Sequence, residues 1–185
     1  YDVQCEFLLL RGRGMAALYV VATPIGNLDD LSPRAVNTLK QVEMILAEDT
    51  RRTGLLLKRL NIKKTIVSVH EHNEKQQTLG FIDRIKSGAN LALVSDAGTP
   101  LISDPGFHLV ERCHAASIPV IPVAGPSAVT AALSAAGIPT DRFSFEGFMP
   151  SKPKGRLDFY QKLANESRTL VFFEAPHRIE VSLRA

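Results

Sequence analysis

Cysteine is scarce in this chain and poorly placed for cross-linking. Cys5 and Cys113 lie far apart, with no CxxC pair and no Cys/His spacing of the zinc-site kind. That argues against a disulfide framework and a metal site, and it fits a reducing, cytoplasmic setting. Long apolar runs are missing too. Nothing approaches the roughly 20 residues that cross a bilayer, and Phe7 to Leu10 is too short for a signal peptide and lacks its flanks. A protein outside the membrane and not secreted is expected. The loop after the first strand is not a GxGxxG, and neither GxxxxGK[ST] nor GxSxG occurs, which removes the simple dinucleotide-binding, nucleotide-hydrolase and α/β-hydrolase readings. Charged residues are only 22% of the chain, and Gly and Pro number 12 and 11, so neither a disordered polyelectrolyte nor a collagen-like polymer fits. What is present is 185 residues of 45% hydrophobic content, enough to bury the core of one full domain and part of another.

From Leu18 onward, short aliphatic and β-branched runs alternate with helical patterns. This is the signature of βαβ units around a largely parallel sheet, and the fold class is α/β. Strands are expected at 18–22, 42–47, 65–69, 91–94, 120–123 and 169–173. A first helix should open at Ser32, an N-cap with Pro33 behind it, and bury Ala35, Val36 and Leu39. Further helices are expected near 54–60, 73–86, 105–116, 126–136 and 156–165, and from Pro176 onward. Residues 1–14 show no periodicity and read as a disordered or non-native extension before a natural start at Met15. An N-terminal α/β domain is expected over 15–124 and the start of a second α/β domain over 125–185. A βα unit without following strands leaves apolar edges unpaired, so the sequence is expected to stop inside that domain.

The formal charge of +3 is unevenly spread: Arg51 to His70 holds Arg51, Arg52, Lys58, Arg59, Lys63 and Lys64 without one acid. Such a stretch is either a solvated helix face or a face that meets nucleic-acid phosphates. His70 and His72 resemble a metal pair but lack a further clustered ligand, so no metal is expected.

In open α/β sheets ligands gather at the carboxyl ends of strands, where free backbone N–H groups and helix N-termini converge. Three loops qualify. Val94-Ser95-Asp96-Ala97-Gly98-Thr99-Pro100-Leu101-Ile102-Ser103-Asp104-Pro105-Gly106 has small residues that admit close backbone approach and two prolines that stiffen it. It is equally readable as a structural turn in which Asp104 caps the next helix. Val123-Ala124-Gly125-Pro126-Ser127-Ala128 and Ala22-Thr23-Pro24-Ile25-Gly26-Asn27-Leu28 are the others, and each is also compatible with ordinary helix initiation or a plain turn.

Six ordered blocks carry a more specific signal: Thr23-Pro24-Ile25-Gly26-Asn27-Leu28, Glu48-Asp49-Thr50-Arg51, Val94-Ser95-Asp96-Ala97-Gly98-Thr99-Pro100, Asp104-Pro105-Gly106, Gly125-Pro126-Ser127-Ala128 and Phe145-Glu146-Gly147-Phe148-Met149-Pro150. In this order they resemble the ribosomal RNA small subunit methyltransferase I family of the tetrapyrrole methylase superfamily, and the match runs from about Leu18 to Ile179. The resemblance implies a tetrapyrrole-methylase-like fold and S-adenosylmethionine-dependent methylation of a cytidine ribose 2′-hydroxyl in small-subunit ribosomal RNA. It also implies a cytoplasmic homodimer acting on that RNA or on the 30S-type subunit. Carried over, the cofactor contacts are Pro24, Asp96, Ala97, Gly98, Thr99, Pro100, Ile102, Ser127, Ala128 and Glu174.

Methyl transfer needs the acceptor oxygen aligned and its proton removed. Glu48, Asp49, Asp104, Glu146, Glu174 and His177 are the candidate bases. Arg51, Arg52, Lys152, Lys154 and Arg178, in loop-like segments, are the candidate phosphate contacts. A small-molecule methyltransferase of the same superfamily and an inactive RNA-binding fragment are the alternatives.

Overall fold

The computed structural model of the chain describes residues 16–184; the expectations for residues 1–14, for a start at Met15 and for Cys5 lie outside them. The chain divides into two compact units, one reaching to Ser127 and one starting at Ala128.

The first unit is built on five strands, β1 (Leu18–Val21), β2 (Met44–Ala47), β3 (Thr65–Ser68), β4 (Leu91–Val94) and β5 (Val120–Val123). They form one sheet in the order β3-β2-β4-β1-β5, parallel throughout. Register places Val21 level with Val94 and Val123, and Ala47 level with Val94 and Ser68. All five carboxyl ends therefore form one rim. Among the described residues a 3-10 turn (Leu28–Asp30) and four α-helices complete the unit: α1 (Pro33–Gln41), α2 (Thr50–Arg59), α3 (Glu74–Lys86) and α4 (Phe107–Ala115).

Strand residues alternate between two cores, as the two-residue repeat of a strand requires. Leu91 and Leu93 join Phe81, Ile82, Ile85 and Leu109 of α3 and α4 on one face. Ala92 and Val94 join Ala35, Leu39 and Leu57 of α1 and α2 on the other. The chain thus leaves β1 and β2 toward one face and β4 toward the opposite face. β4 lies between β1 and β2, so the loop after it departs at a switch point on both sides, which is where crevices open in sheets of this kind.

The helix starts show how local sequence set the rim. Ser32 caps α1, its hydroxyl accepting the Ala35 N–H at 3.1 Å, with Pro33 in the first turn. α2 begins at Thr50, four residues before the expected Gly54, because Asp49 is its N-cap; Thr50-Arg51-Arg52-Thr53 is helix and not loop. α4 begins at Phe107 with Gly106 as its N-cap. Asp104 does not cap that helix. The Glu74 carboxylate, buried at the start of α3, takes the Leu109 N–H at 2.8 Å instead.

The second unit contains α5 (Ala128–Ala135), β6 (Phe143–Phe148), α6 (Pro153–Leu163), β7 (Thr169–Phe173), a 3-10 turn (Pro176–Arg178) and α7 (Ile179–Leu183). β6 and β7 pair in parallel with an irregularity between Phe145 and Phe148, where Gly147 has φ +71°. Phe145 and Phe148 meet Phe173 edge to face at centroid distances of 4.7 and 5.4 Å. β6 is a strand not expected from the sequence, although Phe143-Ser144-Phe145-Glu146 carries the two-residue alternation; Gly147 and the bulge interrupt it. Among the described residues no helix is long and apolar enough to cross a membrane.

Candidate functional site

At the rim of the first unit, the loops after β1, β4 and β5 are tied into one cradle. Thr23 and Gly98 exchange backbone hydrogen bonds at 2.8 and 3.0 Å, and the buried Thr23 hydroxyl donates to the Ser95 carbonyl at 3.1 Å. The Thr99 hydroxyl donates to the Pro126 carbonyl at 3.0 Å. Gly98 has φ +88°, and a Cβ there would stand 3.4 Å from Ile25 Cγ2 and 3.8 Å from the Pro126 oxygen. Only glycine meets that backbone freely at the junction of three loops. Leu101 and Ser103 also take positive φ, 71° and 68°. Left-handed backbone at residues other than glycine costs about 1–3 kcal/mol each and gathers at ligand clamps.

Ala97 and Ile102 are exposed on this cradle, Pro24 and Thr99 half-buried, and Gly98 and Pro100 buried. Ser127 ends the first unit, while Ala128 opens α5 in the second. The cradle thus gathers Pro24 and the Asp96–Ile102 loop at one place.

Beside the cradle sits a group of acids from β2 and β4. Asp96 accepts the Asp49 N–H at 3.0 Å and pairs with Arg52 at 3.4 Å. Burial pushes the Glu48 carboxyl up, the nearby carboxylates of Asp96 and Asp104 add to this, and the Asp96 backbone N–H and Arg52 only partly oppose it. Burial likewise raises Asp104, with the Asp96 carboxylate acting in the same direction and the Ser95 hydroxyl against it. Asp49 is the opposite case. The side chain of Arg51 binds it at 2.9 and 3.2 Å and the Arg51 backbone N–H at 2.8 Å, which holds it down at about 2. Arg51 itself is 89% exposed in that pair.

The remaining candidates belong to the second unit. The Glu174 carboxylate is bound by the Ser182 hydroxyl, the Ala175 N–H at 2.8 Å and Arg178, which lower it. Arg178 also donates to the Met149 carbonyl at 3.4 Å, so this expected phosphate contact is engaged inside its own unit. Glu146 accepts the Ser144 hydroxyl. Lys152, Lys154 and His177 are exposed. Arg156, for which the sequence gives no functional signal, is 3% exposed and donates to the Pro150 and Ser151 carbonyls at 3.4 and 3.2 Å; it holds the segment carrying the two lysines. Ser95, part of the 94–100 block, faces Asp104, whereas nothing local distinguishes Glu74 as an acid that caps a distant helix.

Set against known proteins, residues 17–185 match the model of the tetrapyrrole (corrin/porphyrin) methylases. The chain is 53% identical over 171 residues to the ribosomal RNA small subunit methyltransferase I of Vibrio cholerae serotype O1, covering 92% of this chain and 59% of that protein. It is 58% identical over 162 residues to the protein of the same name from Xylella fastidiosa, covering 88% and 59%. The chain therefore spans a little under three fifths of the length of these relatives. In fold it is similar to the crystal structure of uroporphyrin-III-C-methyltransferase from Thermus thermophilus, with a TM-score of 0.56 and 24% identity over 72% of this chain and 60% of that one. The parallel α/β fold and the family model agree, and the chain belongs to the tetrapyrrole (corrin/porphyrin) methylase family.

Proposed function

We propose that the protein methylates the ribose 2′-hydroxyl of a cytidine in small-subunit ribosomal RNA, using S-adenosylmethionine as donor. The observation that carries this reading is the pairing of a close-approach backbone cradle at Gly98 with carboxylates whose proton affinity is raised, Glu48 and Asp104, directly beside it. The names of the curated relatives support the RNA substrate. Within this reading the enzyme works in the cytoplasm, as a homodimer, on the small subunit or its RNA.

The residues present fit the donor. Its sulfonium and ammonium groups are cationic, and the rim offers the carboxylates of Glu48 and Asp104, while Arg52 is already paired with Asp96. Ala97, Gly98, Thr99 and Pro100 present backbone and small side chains to it, with Pro24 and Ile102 as apolar neighbours. The Asp96 side chain is committed to Asp49 and Arg52, so its part in the cradle is its main chain. When bound, the cofactor supplies an electrophilic methyl group.

The protein's own work is to align the acceptor oxygen and receive its proton. Glu48 is the base of this proposal: its raised proton affinity brings it closer to the neutral range in which general bases work best. Burial keeps that affinity high, with the charge of Asp96 and then that of Asp104 adding to it. Asp49 and Glu174, lowered by their partners, are poor bases. Tritiated S-adenosylmethionine, incubated with the protein and unmethylated small ribosomal subunits, should label the RNA in an alkali-resistant dinucleotide containing cytidine. Label confined to bases, or absent while the cofactor is bound, contradicts the reading.

A further inference from the structure

Helix α2 has two faces. Thr53 and Leu57 are buried toward the sheet, and Gly54 lies against Ile66. Arg52, Leu55, Leu56 and Arg59 follow at the i, i+3, i+4, i+7 spacing of a second stripe, and this stripe lines a cleft of about 280 Å³ whose opposite wall is the loop after β1, at Pro24 and Leu28. Leu55 is 63% exposed. The cleft is therefore an apolar slot with an arginine at each end, the two about 10 Å apart along the helix axis. Arg52 already neutralises Asp96, whereas Arg59 makes no ion pair among the described residues. The helix stands in a stretch of six cations without an acid, from Arg51 to His70.

We propose that this cleft seats one nucleotide of the acceptor RNA strand, with the base against Leu55, Leu56 and Leu28 and a flanking phosphate on Arg59. The inference rests on the RNA reading above and names the subsite within it. Aliphatic walls receive the faces of an unstacked base, and the cleft is smaller than typical drug-sized pockets, which matches one base. The uncompensated charge of Arg59 at the end of the slot away from the Arg52–Asp96 pair suits the phosphate that follows a seated base. Because Asp96 lines the same cleft, a nucleotide held there delivers its strand to the acids at the ends of β2 and β4.

The test is fluorescence anisotropy of a labelled single-stranded oligoribonucleotide with the parent chain, Arg59→Gln and Leu55→Ala, over a range of salt. Thermal melts that coincide with the parent's establish that both variants fold. Arg59→Gln should weaken binding about fivefold at low salt and flatten the salt slope by about 0.7, the value of one phosphate contact on a single strand. Leu55→Ala should weaken binding about threefold and leave the slope unchanged, the mark of lost apolar contact. Parent-like binding by both variants overturns the subsite and leaves the RNA reading standing, whereas failure of the parent chain itself to bind RNA overturns both. A Leu55→Ala variant with altered sedimentation and unaltered RNA affinity assigns the slot to a second copy of the chain and overturns the proposal.

Discussion

Glu48 and Glu174 each follow directly on the last residue of a parallel strand, Ala47 of β2 and Phe173 of β7, and their surroundings treat them in opposite ways. Glu174 is met by a serine hydroxyl, a backbone N–H and an arginine, and its carboxyl is pulled down. Glu48 is half-buried among Asp96 and Asp104 and is pushed up. The carboxyl end of a strand thus offers a position and not a role. A fully partnered acid at that position builds structure, and a crowded one stores proton affinity that chemistry can draw on.

The largest effect that separates the two sites is expected from Glu48→Gln. Methyl transfer should fall about 10²–10⁴-fold, the usual contribution of a general base, in the labelled-methyl assay. The same change should raise the melting temperature at neutral pH by about 1–2 °C, small because the group is partly solvated. A carboxyl raised by folding contributes stability that is present below its unfolded value and lost as pH rises through the folded one. The gain in Glu48→Gln should therefore appear with rising pH and vanish in acid.

Gly106→Ala tests the frame that holds Asp104 apart from its helix. A Cβ at φ +123° would stand 2.5 Å from Leu93 Cδ2 in the core, so a loss of about 2–4 kcal/mol is expected in denaturant unfolding.

Glu174→Gln should lower the melting temperature near neutral pH, because Arg178 and Ser182 lose a charged partner. Its pH trend is the reverse of Glu48's. Stability from a depressed carboxyl is present above its unfolded value and lost as pH falls through the folded one, so the deficit of the variant should shrink in acid. The smallest effect is expected at the exposed Arg184–Glu180 pair, where Arg184→Ala should cost no more than about 0.5 kcal/mol.

Where a structural cause is local, the sequence disclosed it. Ser32 and Pro33 announced α1, and the aliphatic runs 91–94, 120–123 and 169–173 stand as strands at those residues. The misplaced start of α2 has a local explanation as well: Thr50-Arg51-Arg52 looks like loop because its polar residues belong to the exposed side of a first turn. The bulge at Gly147 hid β6 by breaking a two-residue alternation. The site was legible as loops and not as chemistry. Its carboxylates come from positions 48, 96 and 104, and no window of sequence shows that strands β2 and β4 lie side by side. Arg178 shows the converse, since a cation in a loop-like segment looked available for phosphate while its i−4 neighbour Glu174 already held it.

The most direct test of the contrast is a carbon-13 NMR titration of the glutamate and aspartate side chains in the parent chain, with Asp104→Asn alongside. Glu48 should titrate above the ordinary glutamate value of 4.5, Glu174 below it, and Asp104→Asn should bring Glu48 down. A Glu48 that titrates at or below the ordinary value, or that ignores the loss of Asp104, would contradict the contrast.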